Sequence, residues 1–233
     1  MPLSILPNKR GAGLAALIVL AGLSAGAWWL ASSSAHRNAA SYTAYHDEAL
    51  ANPTNFAINA VDAGFARSMI QHHAQAIQMS MLMRSAASPE MQAIAQSIVL
   101  KQTREIGVME GWLSAWNQPP LVDGAPMAWV ENATNVRHLD DQLYQARCKA
   151  EGGAMAGLAT PEQLAQLERA TGKAKEKLFL ELMLAHHQAA LPMAWFAHRN
   201  GESSLVKALA TTMIREQGME IAWMQVKLNT YTQ

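Results

Sequence analysis

The chain carries one cysteine, Cys148. That excludes an internal disulfide and any zinc site built on paired cysteines, and it leaves Cys148 as a small buried hydrophobe rather than a reactive thiol. Basic charge is not in excess either. Lysine plus arginine and aspartate plus glutamate both number 18, so nothing marks the chain for nucleic acid. No phosphate-binding glycine loop occurs, no Ser/His/Asp or Cys/His order stands out, and HExxH is missing. An enzymatic role is therefore not expected. Strand signals are scarce, with no sustained period-two alternation and little clustering of Val, Ile or Thr. Acid is missing locally: residues 1–35 hold Lys9 and Arg10 but no Asp or Glu. Setting those two aside leaves 16 basic against 18 acidic residues, a mildly acidic body.

The acid-free N-terminus runs uncharged from Gly11 to Ala35 behind Lys9 and Arg10. One reading is a signal peptide cut near Ser33-Ser34-Ala35. The other is a retained anchor, since the apolar run from Leu14 to Leu30 is about the shortest that spans a bilayer and Trp28 and Trp29 suit an interfacial belt. The anchor is preferred. Both readings export the body to the periplasm or the outer face of a bacterial inner membrane. No cysteine follows the run, which excludes a lipoprotein anchor. Residues 36–58 read as linker.

What is abundant is helix punctuated by caps. A helix is expected from about Asn59 to Ala87, and Ser88-Pro89-Glu90 then caps a second that runs to about Trp116. "NQPPLVDGAP" ends it and opens a connector over residues 118–159, in which "HLDDQLYQARCK" reads as helical. Thr160-Pro161-Glu162-Gln163 is a capping box for a short helix ending near Thr171-Gly172. A long helix follows from about Lys173 to His198, and a last one from Glu202 to about Leu228. The two halves repeat one another. "FARSMIQHHAQAIQM" (65–79) overlies "FLELMLAHHQAALPM" (179–193), and "QTREIGVM" (102–109) overlies "QGMEIAWM" (217–224). This predicts an all-α fold in which two repeated hairpins, residues 59–117 and 160–233, pack as a four-helix bundle.

The repeated segments also carry the chemistry. At 100° per residue, Met69, His72, His73, Ala76, Met79 and Met83 fall on one stripe about 120° wide. Met183, His186, His187, Ala190 and Met193 repeat it. On the second helix of each hairpin, Gln102, Glu105 and Met109 recur at i, i+3 and i+7, as do Gln217, Glu220 and Met224. Four inward imidazoles need partners, because burial without them is costly, and a metal supplies one. Imidazole with thioether is a borderline-to-soft donor set, which favours copper as Cu(I) or Cu(II). Fourteen methionines fit that reading or a plastic core. Glu105 and Glu220 serve either as ligands or as orienters of the rings.

A di-iron centre would need Glu three residues before a His, and Met69, Ile70, Met183 and Leu184 stand there instead. A redox metalloenzyme and a metal-free structural or interaction bundle remain the alternatives. So does the choice between one shared centre and two. Among the other histidines, His36 and His46 read as solvated and His138 as structural or exposed. His198, eleven residues after His187, lies along the same side of its helix.

The paired HHxxAxxM segments, the "QTREIGVM" and "EQGMEIAWM" segments and "MAGLATPEQLAQL" together resemble the bacterial family known as domain of unknown function 305, over most of residues 60–228. The resemblance implies a ferritin-like four-helix bundle, exported from the cytoplasm, with some members linked to copper binding and copper tolerance. It marks His72, His73, Met79, His186, His187 and Met193 as the first motif. Gln102, Glu105, Met109, Gln217, Glu220 and Met224 form the second. Implied partners are a metal ion, a copper donor or acceptor protein, and the membrane through the N-terminal helix. One departure stands out. Many members carry "MPGM" before the capping box, whereas this chain has Met155-Ala156-Gly157-Leu158, so only Met155 could contribute sulfur there.

Overall fold

The computed structural model describes residues 57–84 and 87–231. The expected leader, most of the linker, His36 and His46 lie outside the described residues. Within them the chain is helical and no strand occurs. No helix there is long and apolar enough to cross a membrane.

Local chemistry explains where the helices start. Helix α1 (Ala60–Met81) begins at Asn59, whose side chain accepts from the Val61 and Asp62 amides while the Asp62 carboxylate accepts from the Asn59 amide. It ends earlier than expected, tightening into a 3-10 turn at Leu82–Arg84 that swings the chain toward the next cap. Helix α2 (Pro89–Ala115) starts where the Ser88 hydroxyl accepts from the Met91 amide, with Pro89 filling a first-turn position that needs no donor. Two connector helices follow, α3 (Ala128–Glu131) and α4 (Leu139–Ala150). Helix α5 (Pro161–Arg169) carries the capping box: Gln163 and Thr160 exchange side-chain-to-backbone bonds of 2.7 and 3.2 Å. Helices α6 (Gly172–Asn200) and α7 (Ser204–Asn229) complete the chain.

The four long helices run antiparallel in pairs. Arg67 on α1 reaches Gln118 and Pro119 beyond the far end of α2, so these helices form a hairpin closed at residues 82–88. Helices α6 and α7 form the second hairpin, closed around Gly201. The first helices of the two hairpins pack together, also antiparallel. Asn59 donates to the Asn200 carbonyl at 2.8 Å, and the buried Asp62 carboxylate accepts from the Glu202 and Ser203 amides. Helices α2 and α7 meet through long side chains, Lys101 with Glu216 and Glu220 and Lys227 with Glu90.

Two apolar clusters fill the interior. One holds Phe65, Trp129 and Phe196; the other holds Phe179, Leu180, Met83 and Met91. The connector docks on the first. The Trp129 indole donates to the Ser68 hydroxyl at 2.8 Å, and its ring lies so close to α1 that a Cβ on Gly64 would come within 2.2 Å of it. Arg199 and Asn200 bind the buried Asp141 of α4 from the end of α6. The histidine doublets lie in the stretch of α1 and α6 between the two apolar clusters.

Candidate metal centre

All four imidazoles of the doublets are buried, none more than 1% exposed. They divide into two kinds. His73 and His187 each point Nε2 at the carboxylate facing them across their own hairpin, Glu105 at 2.7 Å and Glu220 at 2.8 Å. Of the two roles open to them, Glu105 and Glu220 are thus found as hydrogen-bond partners of the rings. His72 and His186 meet each other instead, at the crossing of α1 and α6. Their ring centroids lie 3.6 Å apart with an interplanar angle of 37°, and His186 Nε2 donates to the His72 carbonyl at 2.9 Å.

That leaves nitrogen without employment. Both ring nitrogens of His72, and Nδ1 of His73, His186 and His187, are buried with no hydrogen-bond partner. Buried polar atoms are normally satisfied, so five orphaned nitrogens in one layer call for a physical cause. A metal ion accepting the lone pair of each ring's unprotonated nitrogen is such a cause, and the donor set fits copper. Among the described residues no three His, Cys, Asp or Glu side chains stand gathered around a common metal position, so sulfur or an amide oxygen would have to complete any coordination sphere.

Burial sets the protonation of the stacked pair. It is the main force pushing His72 down from the ordinary imidazole value to about 3, with the charges of His73 and His187 adding to it and the nearby Ala156 backbone opposing. His186 is driven well down for the same reason, with His72, His187 and His73 contributing. Both are therefore neutral, which is the form that binds metal. Burial alone would raise the Glu220 carboxyl. The hydrogen bond from His187 and the ammonium of Lys101 outweigh it and hold Glu220 low.

The methionines are placed less simply than the stripe implied. Met69, Met79, Met109, Met183, Met193 and Met224 are all buried. The two sulfurs flanking each doublet nevertheless fall in different clusters: Met69 and Met193 lie in one, with Met109, while Met79 and Met183 lie in the other, with Met224. Antiparallel crossing at His72 and His186 produces this exchange, because it sets the residues before one doublet beside those after the other. Gln102 and Gln217 are buried too, each with an unpartnered Oε1.

The outlying histidines are not gathered here. His198 packs on Trp195 and contacts Lys207 and Thr211 near the end of α6, and His138 is half exposed at the start of α4. Met155 is half-buried against the first cluster.

One feature of the site has no counterpart in the helical periodicity of the sequence. The connector passes over the histidine layer as a strap. Gly157, at φ +77°, lies so close to α6 that a Cβ there would sit 2.3 Å from Ala189 Cβ and 3.3 Å from the His186 Cα. The Gln75 amide clamps the next turn, donating to the Ala159 carbonyl at 2.9 Å and accepting from its amide at 2.7 Å. A cavity of about 250 Å³ lies beside the strap, lined by Tyr144, Arg147, Glu151, Gln188 and Pro192 among others.

Solved structures share this fold. A DUF305 protein from Streptomyces coelicolor, described as a candidate secreted protein, is 31% identical with a TM-score of 0.63, the match covering 74% of this chain and 94% of that one. A DUF305 fragment from Deinococcus radiodurans is 26% identical with a TM-score of 0.57, covering 74% and 98%. CopM, crystallised in a Cu(II)-bound form, is 26% identical with a TM-score of 0.53, covering 73% and 97%; a Cu(I)-bound form of it matches similarly. No curated protein matches. The family described as domain of unknown function (DUF305) matches residues 62–228, which include both doublets, both carboxylates and the connector between the hairpins, and the chain belongs to that family.

Proposed function

We propose that this protein is an exported copper-binding protein that sequesters or relays the ion without catalysing a reaction, its four long helices forming a ferritin-like four-helix bundle around the metal. The observation that carries the reading is the close-packed, neutral pair His72 and His186, whose rings keep buried nitrogens without a hydrogen-bond partner, set in a layer with His73 and His187 and flanked by methionines. Hydrogen bonding employs one nitrogen of His73, His186 and His187, through Glu105, the His72 carbonyl and Glu220, and leaves the Nδ1 of all three buried without a partner.

In this reading His72, His73, His186 and His187 supply nitrogen and the buried methionines supply sulfur. Glu105 and Glu220 hold two of the rings in fixed orientation. Copper, when bound, would supply the charge that satisfies the orphaned lone pairs. The CopM structures with Cu(I) and Cu(II) support copper as the ion. Export rests on the charged-then-apolar N-terminus and on the Streptomyces relative described as a candidate secreted protein. A donor or acceptor protein would exchange the ion with this chain on the far side of the membrane.

The test is titration of metal-free protein with Cu(I) and with Cu(II), counting bound ions by elemental analysis. Binding is expected. The double substitution His72→Leu with His186→Leu, which preserves apolar volume, is expected to weaken it more than tenfold. Unchanged binding would remove the stacked pair from the site, and no binding by the natural chain would end the copper reading.

A further inference from the structure

The histidine layer fixes the register of all four long helices. His73 meets Glu105 across α1 and α2, His187 meets Glu220 across α6 and α7, and His72 meets His186 across α1 and α6. In antiparallel helices, residues equally far on opposite sides of such a contact come level. Met69, four residues before His73, is therefore level with Met109, four after Glu105. Ala190, three after His187, is level with Gln217, three before Glu220. The His72–His186 crossing brings Met69 and Ala190 to the same height, so all four residues share a layer about one helical turn from the histidines. In the opposite direction the hairpins exchange roles, and Met183, Met224, Ala76 and Gln102 form the matching layer.

Packing agrees with this register. Met69, Met109 and Ala190 belong to one apolar cluster, and Met183, Met224 and Ala76 to the other. Each layer has the same composition: two buried thioethers from one hairpin, a buried glutamine from the other, and an alanine small enough to leave room between them. In both layers the glutamine Oε1 is buried without a donor. A buried carbonyl oxygen in an apolar core is destabilising unless something positive faces it. Two such oxygens, at equivalent positions of a duplicated fold and each level with a pair of thioethers, point to a cation on either side of the histidines.

We infer that the chain holds two equivalent sites for a soft monovalent cation such as Cu(I) or Ag(I). Each is formed by two methionine sulfurs of one hairpin, the glutamine carbonyl of the other, and an unpartnered imidazole nitrogen of the layer between. The inference rests on the metal-binding reading above and adds the number of ions, the crossing of ligands between hairpins, and the two glutamines.

Native mass spectrometry of the full chain with Ag(I), which undergoes no redox change on binding, reads the stoichiometry directly. Two ions are expected for the natural chain. One is expected for Met69→Leu with Met109→Leu, and one for Met183→Leu with Met224→Leu. Leucine preserves the apolar volume, and circular dichroism confirms that each variant remains helical. Gln217→Leu is expected to weaken one of the two binding steps by about tenfold, and to have no further effect once Met69 and Met109 are replaced. A natural chain that takes one ion, or a double variant that loses both, overturns the two-site inference in favour of a single shared centre and leaves metal binding intact. Double variants that still take two ions remove the thioethers. Failure of the natural chain to bind Ag(I) or Cu(I) at all would strike the metal-binding reading itself.

Discussion

His72 and His73 are neighbours in sequence with different physics. His73 gives Nε2 to Glu105, while His72 is enclosed by His186, the Ala156 backbone and apolar core and meets no carboxylate. Burial therefore holds His72 neutral down to about pH 3 in the folded chain, whereas in the unfolded chain it protonates near the ordinary value of 6.5. Between those limits the unfolded state binds the extra proton. The stability His72 contributes is thus fully present above pH 6.5 and is lost progressively as pH falls toward 3. From pH 7 to pH 5 the loss from this ring is about 2 kcal/mol, and His186 adds to it with the same sign. Urea denaturation of the metal-free protein at a series of pH values is expected to show that slope, and His72→Leu is expected to flatten it. Equal slopes for the two proteins would mean that His72 is solvated and protonates freely in the native state.

The strap shows what an isolated element does not declare. Gly157 is one of several glycines in the connector, and only the approach of α6 makes it irreplaceable. It adopts φ +77°, and a Cβ would collide with Ala189. Gly157→Ala combines left-handed strain with that collision and is expected to cost about 1–3 kcal/mol, read as a lowered midpoint in urea. Gly172→Ala, also at positive φ but with nothing within 4 Å of its would-be Cβ, provides the comparison and should cost less. A strap that could lift away freely would make the two variants equal. The same contrast explains what was legible in the sequence. Helix starts are local chemistry, so Ser88-Pro89 and Thr160 with Gln163 could be read directly, and the stripe that buries His72, His73, His186 and His187 follows from periodicity. The clamp from Gln75 to Ala159 spans 84 residues, and no local pattern encodes it. Nor does a stripe on one helix reveal the height at which another helix crosses it. That is why Met69 and Met79 read as companions and are found in different clusters.

At the scale of the molecule, two similar hairpins must be held in one register, and the same register creates the histidine layer. Asp62 ties one end. Its carboxylate is fully buried and accepts from the Asn59 amide of its own helix and from the Glu202 and Ser203 amides at the turn of the other hairpin. Asp62→Ala leaves these donors without an acceptor and is expected to cost about 3 kcal/mol. The proposed ion, held by side chains of both hairpins, would work from the middle of the same interface. Because it binds only the folded chain, it adds about 2.7 kcal/mol per site at a hundredfold excess over its dissociation constant. Asp62 lies more than two helical turns from His72 along α1, so the two effects should combine without interference. With two sites filled the ions add about 5 kcal/mol against the roughly 3 kcal/mol lost, so metal-saturated Asp62→Ala is expected to melt above the metal-free natural chain, with a midpoint that climbs as free Ag(I) is raised. Scanning calorimetry of both proteins across a silver series measures this. If silver raised the melting temperature of the natural chain but not that of the variant, the ions would depend on the clamped end rather than on the histidine crossing. If it raised neither, the layer between the clusters would be only a core.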